Sequence, residues 1–400
     1  MDEKSLNFLR QTFMGYYSSR GIWVPREMEN REFGFFMGRE KVMLRHRSFR
    51  SQEELSNFLV QKAPFDVYYS VATYDHPEEE MSEKGWRNAD IVFDIDADHL
   101  EHECKEEHDF WICGACQKEG KGSKPTRCPA CENKEVVEVT WICDKCLGLA
   151  KQEVFKLIEV LQEDFGVAED KISIYFSGHR GYHVQVQESL SSIDQASRKE
   201  IVDYVMGTGI DPALHGLSCD RGLGLPTPPS SGWGPRIIRS IYEIAEVTPL
   251  KGMAKVEKSV YAGRRQRMLE ELMQGNLETL SRMTERKKFD ALLASAINRA
   301  TVRIDPVVTT DIHRLFRLPE TLNGKTGLSK RAVSAERLGS FDPLTEAVVL
   351  KGGVRDVHIW SSPRFRLLDE WYGPYRDEEA ALPQEVAVLL VCKGVAEVSD

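Results

Sequence analysis

Asp94 and Asp96, one residue apart, close the run Asp90-Ile91-Val92-Phe93-Asp94-Ile95-Asp96. An apolar run of this kind reads as a buried strand, and residues two apart on a strand project from the same face, so both carboxylates point into one small volume. Two unpaired anions so placed repel. A hard divalent cation removes the repulsion, since Mg²⁺ takes oxygen ligands and is commonly held by one or two carboxylates together with substrate phosphates. The plainer reading is a solvated acidic strand end. Downstream, Ser177-Gly178-His179-Arg180-Gly181-Tyr182-His183 offers a hydroxyl, a planar fork of donors and an imidazole around two glycines. Glycine lets backbone approach a ligand closely, so the set suits a triphosphate, against the simpler alternative of a basic hairpin turn. A third carboxylate, in Arg303-Ile304-Asp305, precedes the cation-rich stretch from His313 to Gly327, which includes Arg317, Asn323 and Lys325. Lys325-Thr326 is not a P-loop ending, because the upstream glycine of that motif is missing. Asp305 is equally readable as a buried partner of Arg303.

Seven of the nine cysteines fall between Cys104 and Cys146, as Cys104, Cys113-x-x-Cys116, Cys128-x-x-Cys131 and Cys143-x-x-Cys146. Three such pairs in a chain with no sign of secretion read as zinc ligands rather than disulfides, because thiolates hold Zn²⁺ tetrahedrally and two pairs fill one site. Eleven residues separate each pair from the next, so either neighbouring couple could form a ribbon. The preferred pairing joins Cys113, Cys116, Cys128 and Cys131 in one site, and gives Cys143 and Cys146 a second one completed by Cys104 and either His102 or His108. Both sites are structural in this reading, with no ligand position left open. Cys219 and Cys392 are ordinary buried thiols.

The elements that must position these groups follow from pattern. Strands flank the Ser177 to His183 turn, from Lys171 to Phe176 and over Val184-Gln185-Val186. Lys151 to Phe165 places Val154, Phe155, Leu157, Ile158, Leu161 and Phe165 at helical spacing before Gly166, as in a helix packed on a sheet. Gly, Pro and Ser concentrate from Gly216 to Pro235, a loop or linker, and helical patterns run from about Arg264 to Ala300. Arg355 to Trp360 and Val386 to Val391 read as closing strands. The fold class is α/β (α+β), divided as residues 1–100 and 148–190 of a catalytic domain, a zinc-binding insert at 101–147, a helical insertion at 191–300, and a C-terminal part of the catalytic domain at 301–400.

Taken in order, these groups resemble the small catalytic subunit of the archaeal and eukaryotic type of DNA primase. Arg31-Glu32-Phe33-Gly34 with Arg45-His46-Arg47-Ser48-Phe49 is similar to that family's N-terminal signature, Asp94-Ile95-Asp96 to its metal-binding pair, Ser177 to His183 to its Ser-Gly-x-Arg-Gly-x-His loop, and Arg303 to Gly327 to its third acidic motif and nucleotide-binding segment. The resemblance implies a primase-polymerase fold with mixed or antiparallel sheets. It also implies Asp94, Asp96 and Asp305 as catalytic carboxylates holding Mg²⁺ or Mn²⁺, with Ser177, Arg180, His183, Arg303, Arg317, Asn323 and Lys325 around the incoming nucleotide. A zinc-binding Cys/His knuckle just after the acidic pair, another family trait, supports the second site, with His108 or His102 as its histidine. The implied activity is that of a nucleotidyltransferase in DNA replication, making short primers of RNA, with DNA as a further product, on single-stranded DNA from nucleoside triphosphates. The implied partner is a primase large subunit in a heterodimer. Two positions depart from the family pattern: His179 stands where an arginine is common, and Asn323 where histidine is common. An end-joining or repair polymerase of the same superfamily, and a non-catalytic zinc-ribbon nucleic-acid-binding module, are the competing readings.

Composition is compatible with these expectations. With 400 residues and 41% apolar content, the chain can bury a large core. Its formal net charge of −10 argues against bulk electrostatic capture of duplex DNA and leaves room only for a local basic groove. Arg264, Arg265 and Arg267, and the cluster Arg286-Lys287-Lys288, are candidate contributors, although solvated helix faces are the simpler account. Neither a signal peptide nor an apolar stretch of membrane-spanning length is present, so the expected location is the cytoplasm, in an archaeal cell on the strength of the resemblance.

Overall fold

The computed structural model describes residues 2–38, 42–100, 104–187, 192–215, 217, 231–247, 265–275, 277, 279–280 and 286–399. His102, Cys219 and Arg264 lie outside the described residues. Two compact units emerge, one of residues 1–154, 170–199 and 304–400, the other of residues 155–169 and 200–303.

The first unit opens on helix α1 (Glu3–Ser18), whose N-cap Asp2 accepts from the Ser5 N–H. Strands β1 (Phe33–Phe36), β2 (Leu44–Arg47) and β3 (Asp66–Ser70) follow, with helix α2 (Gln52–Lys62) between the last two. A short ladder of β4 (Ala72–Tyr74) and β5 (Trp86–Ala89) leads into β6 (Ile91–Asp96). Ile91, Val92, Phe93 and Ile95 of β6 are buried while Asp94 and Asp96 are half-buried, which is the alternation a strand demands. The cysteine-rich segment comprises helix α3 (Lys105–His108) and strands β7 (Phe110–Cys113), β8 (Glu119–Lys121) and β9 (Val136–Val139). Helix α4 (Asp144–Glu163) precedes the hairpin of β10 (Ile172–Phe176) and β11 (Gly181–Val186), and helix α5 (Gln195–Met206) comes after it.

Two four-stranded sheets carry the core. After helices α6 (Trp233–Val247), α7 (Arg286–Ala300) and α8 (Pro306–Thr310), strands β12 (Leu315–Arg317) and β13 (Arg331–Val333) return to them, giving the orders β12-β3-β1-β2 and β13-β10-β11-β6. Both sheets meet through side chains: the Tyr69 hydroxyl on β3 donates to Gln185 Oε1 on β11 (3.0 Å), and the Phe316 ring on β12 lies 4.2 Å from that of His183. Phe33, Phe35, Val67 and Tyr69 of the first sheet are fully buried, as are Tyr182 and Val184, which face the opposite side of β11 from His183 and Gln185. Every ladder among the described residues is antiparallel, the second of the two sheet types the sequence allows.

Short helices α9 (Ala335–Leu338) and α10 (Pro343–Glu346) lead to a C-terminal sheet of β14 (Val354–Ser362), β17 (Tyr375–Pro383) and β18 (Ala396–Val398), with a side hairpin of β15 (Phe365–Leu367) and β16 (Glu370–Tyr372). Arg355 to Trp360 fall in β14, as expected. Val386 to Val391 do not form a strand: they lie in helix α11 (Gln384–Lys393), where Val386, Ala387, Val388, Leu389, Leu390, Val391 and Cys392 are all buried. A helix packed on every side shows no apolar stripe, so a short continuous apolar run reads alike for helix and strand. What fixes the helix is its stop, Gly394 at φ 75°, the left-handed cap that glycine takes without steric cost.

The second unit is helical in its described parts. Trp233, Ile237 and Ile241 of α6 pack with Met268, Leu272, and Phe289, Leu293 and Ala296 of α7. Buried Asp164 holds Arg236 (2.8 Å) and accepts from the Tyr204 hydroxyl (2.8 Å). Arg286, Lys287 and Lys288 are exposed at the start of α7.

Candidate catalytic and metal sites

Antiparallel register sets the first group of residues. β11 pairs with β6 so that Gly181 faces Asp96, Tyr182 faces Ile95 and His183 faces Asp94. The hairpin loop is thereby held against the end of the acidic strand, where the Ala97 N–H donates to the Arg180 carbonyl (3.1 Å). Gly181 makes this possible, because a Cβ there would stand 2.2 Å from the Ile95 carbonyl oxygen. The third carboxylate arrives from far along the chain: the Asp305 N–H donates to the Asp94 carbonyl (2.9 Å), and the Asp305 side chain caps α8 by accepting from the Val307 N–H (2.9 Å). Asp94, Asp96 and Asp305 are thereby brought into one neighbourhood, with the charges of Asp96 and Asp305 both felt at Asp94.

The electrostatics record the crowding. Burial, then the charges of Asp96 and Asp305, raise the Asp94 pKa to about 7, with Arg314 and Lys330 acting in the other direction. Asp96 is also raised, by burial, against Arg180, His99, Lys325 and Lys105. His183 is held well below the usual imidazole range by burial and by Lys330, Arg317 and Arg314, so it is neutral at pH 7. Its Nε2 lies 3.6 Å from Asp94 Oδ1, beyond a normal hydrogen bond, and its buried Nδ1 has no partner among the described residues. Lys330 is fully buried, donates to the Arg317 carbonyl (2.6 Å) and lies over the rings of Phe316 (4.5 Å) and Tyr175 (4.6 Å).

Two loops are stitched together beside these groups. Asn323 Nδ2 donates to the Ser177 carbonyl (3.4 Å), Thr326 Oγ1 to the Gly178 carbonyl (2.6 Å), and Asn323 Oδ1 accepts from the Lys325 N–H (3.0 Å). The Ser177 hydroxyl accepts from the His179 N–H (3.3 Å), and Lys325 projects into solvent. All three arginines of the expected nucleotide cradle are occupied. Arg317 is bound by Asp66 and donates to Tyr68 Oη (3.1 Å) and to the Leu322 carbonyl (3.1 Å). Arg180, 1% exposed, is gripped by Asp98 and by both oxygens of Asp109 (2.8 Å each), and donates to the Trp141 carbonyl (3.1 Å). Arg303 belongs to the second unit, where it donates to Asn298 Oδ1 (3.1 Å).

The thiols gather into two clusters, Cys113 with Cys116, Cys128 and Cys131, and Cys104 with His108, Cys143 and Cys146. Sulfur separations of 3.6 Å for Cys113–Cys131 and Cys116–Cys128, and of 3.3 to 3.7 Å among Cys104, Cys143 and Cys146, are far too long for disulfides, whose S–S bond is about 2 Å. They approach the spacing of about 3.8 Å that four thiolates adopt around tetrahedral Zn²⁺. Both donor sets could hold zinc. His108 turns Nε2 towards Cys146 Sγ (3.2 Å) and Nδ1 towards Asp109 Oδ1 (2.8 Å), the arrangement that orients a metal-binding imidazole. Asp109 also accepts from the Trp141 N–H (2.7 Å). One buried carboxylate thus joins His108 to Arg180. Ala97, directly after Asp96, packs against Cys104 and Cys146.

Sequence reasoning missed Asp98, Asp109, Asp66, Lys330 and Lys393. For Asp109 a signal existed, an acidic residue adjoining a ligating histidine. For the others none did, because their partners are distant in sequence.

The chain is thus an antiparallel α/β protein that sets three carboxylates near one another beside a cation-bearing loop, with two thiolate clusters that could hold zinc at the flank. Its relatives are specific. A family profile described as DNA primase small subunit matches residues 131–335. Proteins named DNA primase small subunit PriS are similar over nearly their whole length: that of Cenarchaeum symbiosum is 33% identical over 99% of both chains, that of Nitrosopumilus maritimus 32% identical over 100% of both, and that of Methanothrix thermoacetophila 32% identical over 100% of both. The chain belongs to the DNA primase small subunit family. Among the described residues no helix is long and apolar enough to cross a membrane.

Proposed function

We propose that this chain is a primase catalytic subunit that synthesises short primers on single-stranded DNA by nucleotidyl transfer, with Asp94, Asp96 and Asp305 as its catalytic carboxylates. The observation that carries this reading is the approach of those three residues, two from one strand face and one tied to that strand by the Asp305 N–H bond to the Asp94 carbonyl, with the charges of Asp96 and Asp305 both felt at Asp94. The raised proton affinity of Asp94 and Asp96 is what a site looks like when it is built for cations.

The three carboxylates suit Mg²⁺ or Mn²⁺, which when bound supply charge stabilisation to the triphosphate and lower the pKa of the attacking 3′-hydroxyl. His183, neutral, faces Asp94 across the strand pair. Lys325 stands exposed at the mouth of the stitched loops, free to meet phosphate. Ser177 and Asn323 fix the loop backbones. Arg180 and Arg317 act chiefly by positioning, since their donors already hold Asp98, Asp109 and Asp66. Little covalent chemistry is asked of the protein; orientation and preorganised charge provide the rate. The two thiolate clusters are structural zinc sites in this reading, two ions per chain, with no open ligand position. By its family name the subunit works beside a larger partner subunit.

The test is synthesis on unprimed single-stranded DNA with labelled ribo- and deoxyribonucleotides, with and without the large subunit. Wild type forms primers and Asp96→Asn forms none, while unfolding at or above the wild-type temperature, because a neutral amide is a poor Mg²⁺ ligand and one source of repulsion is gone. Incorporation by Asp96→Asn within about tenfold of wild type, only about 1.4 kcal/mol of barrier, removes Asp96 from the catalytic centre. Extension confined to pre-existing ends would instead indicate a repair polymerase.

A further inference from the structure

Lys393 ends the buried helix α11, some sixty residues beyond the last motif of the sequence. Its ammonium donates to the Thr140 carbonyl (2.7 Å) and lies 2.9 Å from Nε2 of His179, in the hairpin loop beside the acidic strand. Two of its three N–H groups are thus engaged among the described residues. Lys393 also lines a cleft of about 860 Å³ with Lys124, Lys325, Gly324, Asp66 and Asp98.

The charge in this cleft is unbalanced. Asp66 is neutralised by Arg317, while Asp98 shares Arg180 with Asp109, so that Lys124, Lys325 and Lys393 face Glu138 on β9 and the one negative charge that Arg180 leaves over, a net positive balance. Burial, followed by the charges of Arg180 and Lys325, lowers the Lys393 pKa to about 7, and Lys393 and Lys325 together with burial keep His179 neutral. Cations from separate elements are therefore held close enough to repel each other, a cost that an anion would relieve. The cleft has the volume of a small-ligand site rather than of a polymer track. Lys325, on its wall, also feels Asp96, so the cavity adjoins the carboxylates.

The geometry points to Lys393, seated on His179, as a phosphate-binding residue for the triphosphate of the incoming nucleotide, supplying from the C-terminal helix a cation that the hairpin loop lacks at residue 179. This deepens the nucleotidyl-transfer reading and rests on it. His179 accepts from the ammonium and aims it; Thr140 anchors it; its remaining N–H and its charge are available to a phosphate oxygen.

Equilibrium binding of labelled ATP at fixed Mg²⁺, without template, tests the inference apart from turnover. Lys393→Gln keeps a donor for Thr140 but no charge, and is expected to weaken ATP binding about tenfold or more, as loss of a charge-assisted hydrogen bond does. Lys393→Arg should stay within about threefold of wild type, and single-stranded DNA binding by both variants within about twofold, since their charge is not aimed at the template. In the wild-type chain, ATP should protect Lys393 from amine acylation read by mass spectrometry, whereas single-stranded DNA should not; this measurement stands even if Lys393→Gln fails to fold. Unchanged ATP affinity in a folded Lys393→Gln, parallel loss of ATP and DNA binding, or absence of protection overturns the assignment. If wild type binds ATP yet makes no primer, the nucleotidyl-transfer reading fails while Lys393 keeps its ligand; if it makes primers and Lys393→Gln binds ATP normally, only this inference fails.

Discussion

In the metal-free protein Asp94 titrates near neutrality, and the direction of that shift has consequences for both stability and metal affinity. Its folded pKa of about 7 lies above the ordinary 3.8, so its contribution to stability is complete below about pH 4 and is lost as pH rises through 7. Metal-free wild type should therefore melt at progressively lower temperature between pH 5 and pH 8, and Asp94→Asn should flatten this dependence and melt higher at pH 8. A proton and Mg²⁺ compete for the same oxygens, so Mg²⁺ affinity should fall by up to about tenfold per unit as pH drops below 7, measured by calorimetric titration. A slope that Asp94→Asn leaves unchanged would place the titrating group elsewhere. The carboxylate pair was legible because its chemistry is local, two like charges at strand spacing. The bonds that occupy Arg180 and Arg317 were not, since Asp109 and Asp66 lie 71 and 251 residues away.

At the level of elements, the register of β11 on β6 places loop and carboxylates together. Gly181→Ala would drive a methyl group into the Ile95 carbonyl and the Asp96 Cα, both backbone atoms that cannot rotate away. It is expected to cost about 3 kcal/mol of stability, as overpacking does, and to abolish Mg²⁺ binding through displacement of Asp96. Thermal unfolding with metal titration checks both parts, and a variant of normal Mg²⁺ affinity would show that the strands can separate without moving the carboxylates. Asp109 joins the hairpin loop to the cysteine-rich segment. Asp109→Ala strips Arg180 of one of its two carboxylates and leaves the Trp141 N–H and His108 Nδ1 without their acceptor, a loss of about 3 kcal/mol or more by chemical denaturation. Zinc affinity at the Cys104 cluster should fall about 10- to 100-fold with it. The hairpin itself was readable from two β-rich runs around Gly178 and Gly181. Helix α11 was not, because burial on all sides erases the periodicity by which a helix is recognised.

For the molecule as a whole, the two thiolate clusters are predicted to differ in reach. Elemental analysis should give two zinc ions per chain, and Cys113→Ser or Cys143→Ser should each lose one. Cys113→Ser disturbs the ribbon of Trp111, Cys128 and Val136 and should leave primer synthesis largely intact in the folded protein. Cys143→Ser disturbs the cluster that touches Ala97 and, through His108 and Asp109, Arg180, so synthesis should fall together with the unfolding temperature. Equal effects of the two variants would mean that the link through Asp109 carries nothing to the carboxylates. Cysteine spacing showed that metal clusters were to be expected but left two pairings open, of which the preferred one is found; their unequal connection to the acidic strand depends on packing that spacing does not encode.

The strand order of the two main sheets bears on how the chain fares while it is being made. β12 covers the edge of β3 and β13 covers the edge of β10, and both come from beyond residue 314, after the helical unit. A nascent chain that has emerged only to residue 300 has already produced β1, β2, β3, β6, β10 and β11, yet exposes two bare strand edges and no third carboxylate. At about 5 to 20 residues per second, the ribosome needs roughly 6 to 25 s to travel from β11 to β12, long enough for such edges to find one another between neighbouring chains. Holding these intermediates apart until the last hundred residues arrive is a task for chaperones, and any translational pause within the helical unit lengthens their exposure.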